Sequence, residues 1–369
     1  MKNTVIKKML SAMLAGAMVF SPLSSFACTS FMIKGNDGGY VYGRSMEFGL
    51  PLKSDVIMVP RAFKLEGVGL DGKPGTGLNW TTKYAAVGMN GLNLPVLVDG
   101  MNEKGLMGGL LNAPNTALYQ DVAPADSSKS ISSVQMLIYV LTNFATVEEA
   151  KAGLKQIYIN RSKIPAYNNS TAAVRMTLHD STGKSIVVEY LKGQLVITDN
   201  PTGVMTNDPA FSEQLNNIGN FANLSKVERD PIVINGATFA PPSSGSGLHG
   251  LPGDYLSPSR FIRALFLSSS VPTNVPTAQQ VNSAWHVLGS FDIPPGAVTL
   301  PASNPYGGGS GGYETTEWTV VADNKNLVYY VKPYENTVVQ AYDLKKADLN
   351  SKTIQTVKMK MDQTYLQLN

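Results

Sequence analysis

The chain has 369 residues, of which 43% are hydrophobic and 15% charged, an ordinary globular balance with ample material for a core. The formal charge is +3, but Lys2, Lys7 and Lys8 are the only charged residues before Cys28, and subtracting them leaves 27 bases facing 27 acids from Cys28 onward. A neutral body gives no electrostatic case for nucleic acid or an anionic membrane surface.

Residues 1–27 read as a secretory signal peptide. Three lysines are followed by the apolar stretch MLSAMLAGAMVF, too short to span a bilayer, and then by SPLSSFA. Ser25 and Ala27 occupy the third and first places before Cys28, the small-x-small pattern that signal peptidases read. We expect removal of this leader, no membrane anchor, and residues 28–369 as a single catalytic domain, periplasmic or secreted. Cys28 is the chain's only cysteine, so it has no partner for an internal disulfide even in an oxidising compartment. Three readings of it stay open at this point: a lipid-modified N-terminus, an inert small residue, or a reactive thiol. Lipoprotein leaders usually carry Leu three places before the cysteine, where this chain has Ser25.

From Thr29 the sequence reads mainly as strands. TSFMIKGNDGGYVYGRSMEF is two apolar runs around an Asn-Asp-Gly-Gly turn, a hairpin signal. SSVQMLIYVLTNF carries an apolar helical face, and Thr146 with Glu149 forms a capping box opening VEEAKAGLKQI. RMTLHDSTGKSIVVEYLKGQLVITDN holds three strand runs split by Ser-Thr-Gly-Lys and Lys-Gly turns. SPSRFIRALFLSS and TAQQVNSAWHVLGSF form a helical pair, and EWTVVADNKNLVYYVKPYENTVVQAYDL closes the chain with another meander. Meanders of this kind predict antiparallel sheets in an α+β fold, covered on both sides by four or five helices. The Gly- and Ser-rich runs PPSSGSGLHGLPGD and YGGGSGGYE lack the ending of a phosphate loop and read as long loops.

A thiol attacks only as thiolate, so it needs a base or a positive neighbour. None of the three histidines, His179, His249 and His286, has a local signature tying it to Cys28. There is no His-Glu-x-x-His and no second cysteine to suggest a metal site. Cleavage before Cys28 would supply a different base, its own α-amine, whose reference pKa of about 7.7–8.0 leaves an appreciable neutral fraction near pH 7.

The ordered motifs CTSF, GRSMEF, KYAAVGMNG, DGMNEKGL, LLNAP, VMTNDP and GLPGDYLSPSRF resemble those of the choloylglycine hydrolases, which include bile salt hydrolases and penicillin V acylases. The resemblance runs over nearly all of the chain after Cys28. It implies the four-layer αββα fold of the N-terminal nucleophile hydrolases, two stacked antiparallel sheets between helices, and cleavage of a linear amide through an acyl-thioester without metal or cofactor. It places Cys28 as nucleophile, Arg44 beside it, Asn112 and Asn207 as amides steadying an oxyanion, and Arg260 as a second cation near the sulfur. Glu47 stands where many members have Asp, a carboxylate that helps hold the N-terminal amine; the extra methylene is a departure from the family pattern. Met46, Phe48, Ile57, Met58, Leu94 and Ala113 are candidates for an apolar substrate pocket. The substrate implied is a small-molecule amide, with glycine- or taurine-conjugated bile salts first and penicillin V or acyl-homoserine lactones as alternatives. A homotetramer is the assembly implied. A reading of another class, a non-catalytic exported lipoprotein or binding protein, predicts loss of Cys28, Arg44 or Asn207, all of which are present.

Overall fold

The computed structural model describes residues 27–301 and 312–369. The expected signal peptide, Ala27 excepted, and residues 306–311 of the second Gly-rich run lie outside the described residues.

The chain enters its first sheet at once. Strands β1 (Cys28–Lys34) and β2 (Tyr40–Phe48) pair antiparallel in the expected hairpin, with Cys28 opposite Met46. Beyond β2 the sheet continues with strands Tyr313–Asp323, Val328–Pro333 and Gln340–Asp343, and Val298–Thr299 pairs with the first of these. The second sheet runs Gln194–Asp199, Ser185–Leu191, Val174–His179, Met107–Asn112, Asp99–Asn102, Ala86–Met89, Val56–Val59 and Gln355–Val357. Its meanders follow the turns read from sequence: Lys192 and Gly193, both at positive φ, join two of its strands as a two-residue loop.

Five α-helices lie among the described residues. α1 (Met136–Asn143) and α2 (Val147–Leu154) cover the outer face of the second sheet, and α1 packs on its central strands. α3 (Phe211–Asn217) precedes α4 (Ser257–Ser270) and α5 (Thr277–Leu288), which lie on the first sheet. Thr146 caps α2 by accepting from the Glu149 N–H at 3.2 Å, and the Glu149 carboxylate returns to the N–H of Ala145 at 2.9 Å.

Both faces of β2 are therefore covered, which is why nearly all of YVYGRSMEF is buried although it contains an arginine and a glutamate. Tyr42, Arg44, Met46 and Phe48 share one face, and the first two bond residues of the second sheet. Gly43, Ser45 and Glu47 take the opposite face. Gly43 stands opposite Phe31, whose ring lies 2.6 Å from where a Cβ would sit, so the aromatic covers the gap left by glycine. One apolar core cluster spans the sheets and α4–α5, and a second joins the outer face of the second sheet to α1 and α2. The layer order is helix, sheet, sheet, helix, as the sequence predicts.

Candidate active site

The site is assembled by the edge of the first sheet. β1 is an edge strand, and its free side is bridged by the segment around Met205, with Ser30 N–H to Met205 O at 2.8 Å and the return bond at 3.0 Å. Antiparallel register from Ser30–Met205 sets Asn207 opposite Cys28. The Asn207 Oδ1 accordingly accepts from the Cys28 N–H at 2.6 Å, while its Nδ2 donates to the Asn112 carbonyl at 2.8 Å. Asn207 thus has its Oδ1 and one Nδ2 hydrogen engaged, and the second Nδ2 hydrogen is left for a further acceptor. Asn112, at the end of its strand, has a buried Nδ2 without a hydrogen-bond partner, and the residue lines the cavity that Cys28 opens into.

Arg44 is fully buried with Nη2 at 3.6 Å from the Cys28 Sγ, and the sulfur of Met46 lies 3.7 Å from the same atom. Its guanidinium donates to the carbonyls of Val98 (2.7 Å) and Leu110, bonds Asp99 Oδ2 at 3.3 Å, and lies 5.3 Å from the Trp318 ring centroid. Asp99 also accepts from Tyr42 (2.8 Å) and Tyr329 (2.7 Å). Gly109 makes room for this cluster: a Cβ there would lie 2.6 Å from the Tyr42 hydroxyl and 2.7 Å from Asp99 Oδ2. Burial opposes the charge on Arg44, but the Cys28 sulfur and Asp99 outweigh it and hold the guanidinium above its ordinary range. Burial pushes Asp99 upward against the pull of Arg44 and the two tyrosines.

Arg260 reaches the other side of Cys28 from the first turns of α4. It donates to the Cys28 carbonyl (2.6 Å), Thr29 Oγ1 (2.8 Å), Asn207 Oδ1 (2.9 Å) and, through Nε, the Tyr255 carbonyl (2.9 Å). It touches the backbone of Cys28 rather than the sulfur. Glu47 lies on the same side of the sheet. Its N–H donates to the Ala27 carbonyl at 3.0 Å, its Oε1 meets Thr316 Oγ1 at 3.5 Å, and its buried Oε2 has no hydrogen-bond partner. Burial raises its carboxyl to about 8, with Arg260 pulling the other way.

A bulge controls what faces Glu47. The register of strand Tyr313–Asp323 against β2 shifts between Thr316 and Trp318, so Thr316 opposes Glu47 while Trp318 opposes Met46. Trp318 thereby joins the Arg44 face, and Thr316 and Glu314 take the Glu47 face. Glu314 is buried and accepts from the Ala27 N–H; burial raises it to about 7, opposed by Arg260 and by that bond. Sequence reasoning singled out neither Asp99 nor Glu314.

The cavity at Cys28 is narrow, about 80 Å³, and almost wholly apolar, with Met46, Phe48 and Leu94 in its wall alongside Leu52, Ile164 and Tyr167. It shares Leu94, Val96, Val134 and Ile164 with a wider cleft of about 630 Å³. Three candidates lie elsewhere. Ile57 belongs to the core under α1 and α2, Met58 on the opposite face is packed in the other core cluster, and Ala113 is buried with its N–H on Ala173 O at 2.8 Å. Ile57 and Met58 are adjacent on a strand buried on both faces, so neither reaches a cavity at the sheet edge. His179 is buried in the second sheet against Tyr42, and burial holds it down to about 3; His249 and His286 are exposed.

Two stacked antiparallel sheets between helices, with a lone cysteine opening the first strand, define the N-terminal nucleophile hydrolase fold. A family model described as "Linear amide C-N hydrolases, choloylglycine hydrolase family" matches residues 28–357, and the chain belongs to that family. The bile salt hydrolase/transferase of Clostridium perfringens is 31% identical over 336 residues, covering 90% of this chain and 96% of the relative. A crystal structure of a conjugated bile acid hydrolase variant from Clostridium perfringens superposes with a TM-score of 0.80 at 29% identity, covering 93% of this chain and 100% of that one. Penicillin V acylase from Agrobacterium tumefaciens superposes with a TM-score of 0.71 at 27% identity, covering 90% of this chain and 91% of that one. The protein is an enzyme of the linear-amide hydrolase type.

Proposed function

We propose that the protein is an exported hydrolase of glycine- and taurine-conjugated bile salts that uses Cys28 as an N-terminal nucleophile after removal of residues 1–27. One observation carries the reading: Cys28 presents its sulfur to an apolar cavity while Asn207 Oδ1 fixes its nitrogen at 2.6 Å. Nucleophile and prospective base then belong to one residue, each held from a different side.

In this mechanism the Cys28 α-amine takes the thiol proton as Sγ attacks the amide carbonyl. Arg44, 3.6 Å from the sulfur, stabilises the thiolate. The unpartnered Nδ2 of Asn112 meets the oxyanion of the tetrahedral intermediate. The Cys28 ammonium returns its proton to the departing amine, the C–N bond breaks, and the acyl group remains as a thioester. The same amine then draws a proton from water, which attacks the thioester and releases the acid and the thiol. The apolar cavity takes the acyl side, and bulk beyond its neck runs into the adjoining cleft. Bile salts rank first because the motif text and the bile salt hydrolase of Clostridium perfringens agree in that direction.

A substrate panel of glycocholate, taurocholate, penicillin V and an acyl-homoserine lactone, compared by kcat/KM, tests the assignment. A higher kcat/KM for penicillin V or the lactone than for either bile salt refutes the substrate and leaves the chemistry. Intact mass of exported protein tests the start at Cys28; a mass raised by lipid, or a start elsewhere, ends the N-terminal nucleophile reading. Cys28→Ser retains the fold and loses most turnover, because the amine is matched to a thiol rather than to a hydroxyl. Activity like that of wild type in this variant would overturn the assignment.

A further inference from the structure

We propose that Glu314 is a positioning residue that holds the α-amine of mature Cys28, working with Asn207 from the opposite side. The inference rests on the reading that residue 27 is removed, and it deepens that reading with a group outside all the motifs.

The geometry begins with Ala27, which is 1% exposed and enclosed on two sides. Its N–H donates to the Glu314 carboxylate, and its carbonyl accepts from the Glu47 N–H at 3.0 Å. Cutting before Cys28 removes both partners at once. Glu314, also 1% exposed, loses the donor that satisfies it inside the protein. A buried carboxylate left without a donor is costly, and the nearest new donor is the amine that the same cut creates. Consecutive residues lie about 3.8 Å apart, so the Glu314 carboxylate, placed to meet the nitrogen of residue 27, reaches the nitrogen of residue 28 by a rotamer change or through one water. One amine hydrogen keeps its bond to Asn207 Oδ1, and the hydrogens added on cleavage face the side that Ala27 occupied.

Glu314 is the carboxylate best placed for this on three grounds. The register shift between Thr316 and Trp318 turns it onto the face of Glu47, toward the Cys28 backbone. Arg260 spends its donors on Cys28 O, Thr29, Asn207 and Tyr255, and so balances the charge of Glu314 from nearby without capping it. Glu47 meets residue 27 only through its backbone N–H, and its carboxylate, Oε1 beside Thr316 and Oε2 unpartnered, makes no bond there. The titratable and charged groups around the amine are then Glu47 from β2, Glu314 from its strand and Arg260 from α4, with Arg44 and the Cys28 sulfur across the sheet.

A carboxylate beside the amine favours the ammonium form and raises the pH at which the free base appears. The test is the pH dependence of kcat/KM for glycocholate with mature Glu314→Gln, each preparation confirmed by intact mass to begin at Cys28. We expect the acid limb to move to lower pH by about one unit, the size of effect an adjacent opposite charge exerts, with KM little changed because Glu314 lies outside the cavity wall. A merely structural role lowers kcat/KM at every pH and leaves the limb in place. Glu314→Asp, which withdraws the carboxylate by one methylene, moves the limb the same way by less, and it carries the test alone should Glu314→Gln not accumulate as folded protein. A limb coincident with wild type in protein that begins at Cys28 overturns the role of Glu314 while leaving the nucleophile intact. A wild-type protein that does not begin at Cys28 overturns the parent reading instead.

Discussion

Asp99→Asn is the sharpest test of how Arg44 is held beside the sulfur. Asp99 and Arg44 form an ion pair at 3.3 Å with both side chains at 0% exposure, and Asp99 also accepts from Tyr42 and Tyr329. Asparagine keeps one acceptor oxygen but replaces the other with an NH2 group. With the oxygen kept on the Tyr42–Arg44 side, the NH2 group faces Tyr329, whose hydroxyl must turn from donor to acceptor, and the Arg44 charge loses its counter-charge inside the protein. Removing one partner of a buried pair costs about 3–5 kcal/mol. The low end applies here, because one acceptor survives and Arg44 keeps its bonds to the carbonyls of Val98 and Leu110. For a chain of this size, about 3 kcal/mol corresponds to a fall in Tm of about 4 °C. Misplacing a reacting group by about 1 Å costs up to about 100-fold, and with two carbonyl anchors remaining we expect a loss of about tenfold in kcat/KM. Differential scanning fluorimetry reads the first number and steady-state kinetics the second. If Asp99→Asn melts with wild type and turns over with wild type, the pair does not hold Arg44, and the guanidinium is placed by the carbonyls and Trp318 alone.

Two further outcomes follow from the site. Asn112→Ala removes the unpartnered Nδ2 and lowers kcat by about 100- to 1,000-fold with KM within a few-fold, the cost of deleting one oxyanion donor; a loss confined to KM would assign Asn112 to substrate binding instead. Glu47 has a folded pKa of about 8, above its unfolded value, so the folded state binds the extra proton and stability falls as pH rises toward 8. His179 acts oppositely, since its folded value of about 3 lies below its unfolded one and its contribution is complete once pH exceeds about 6.5. In the window from about pH 6.5 to 8 the slope therefore comes from the raised carboxyls. Glu47→Gln should make Tm fall less steeply across that window, and an unchanged slope would show that Glu47 is ionised in the folded protein throughout it.

The elements that could be read from sequence are those whose signals are local. The hairpin of β1 and β2, the Lys192–Gly193 turn and the Thr146 cap each depend on a few adjacent residues. Another local signal, Asn235–Gly236 between Ile232–Ile234 and Ala237–Phe239, makes a hairpin that was open to the same reasoning and was not singled out. α3 carries too short a pattern to announce itself. The site divides in the same way. Cys28, Arg44 and Asn207 sit in motifs, but the different hydrogen-bond partners of Asn112 and Asn207 depend on a bridge between Ser30 and Met205, far apart in sequence. Asp99 stood inside a motif without an evident task, because its partners come from β2 in the facing sheet and from the strand holding Tyr329. Glu314 faces Ala27 only because of a bulge two residues further on, which alternation along the strand does not reveal.

The burial of Ala27 and Cys28, at 1% and 2% exposure, sets a timetable. A peptidase needs an extended, accessible stretch on both sides of the bond it cuts. Here that bond is enclosed by Glu47 from β2, Glu314 from the strand Tyr313–Asp323 and Asn207, so the enclosure is complete only once all three segments are in place. On the proposed mechanism, a chain that folds before it is cut seals an amide where the base belongs and stays silent for as long as it stays folded. On the proposed start at Cys28, the yield of active molecules is decided by a race between cutting and folding, and slowing the assembly of these segments would raise that yield without touching a single group of the site.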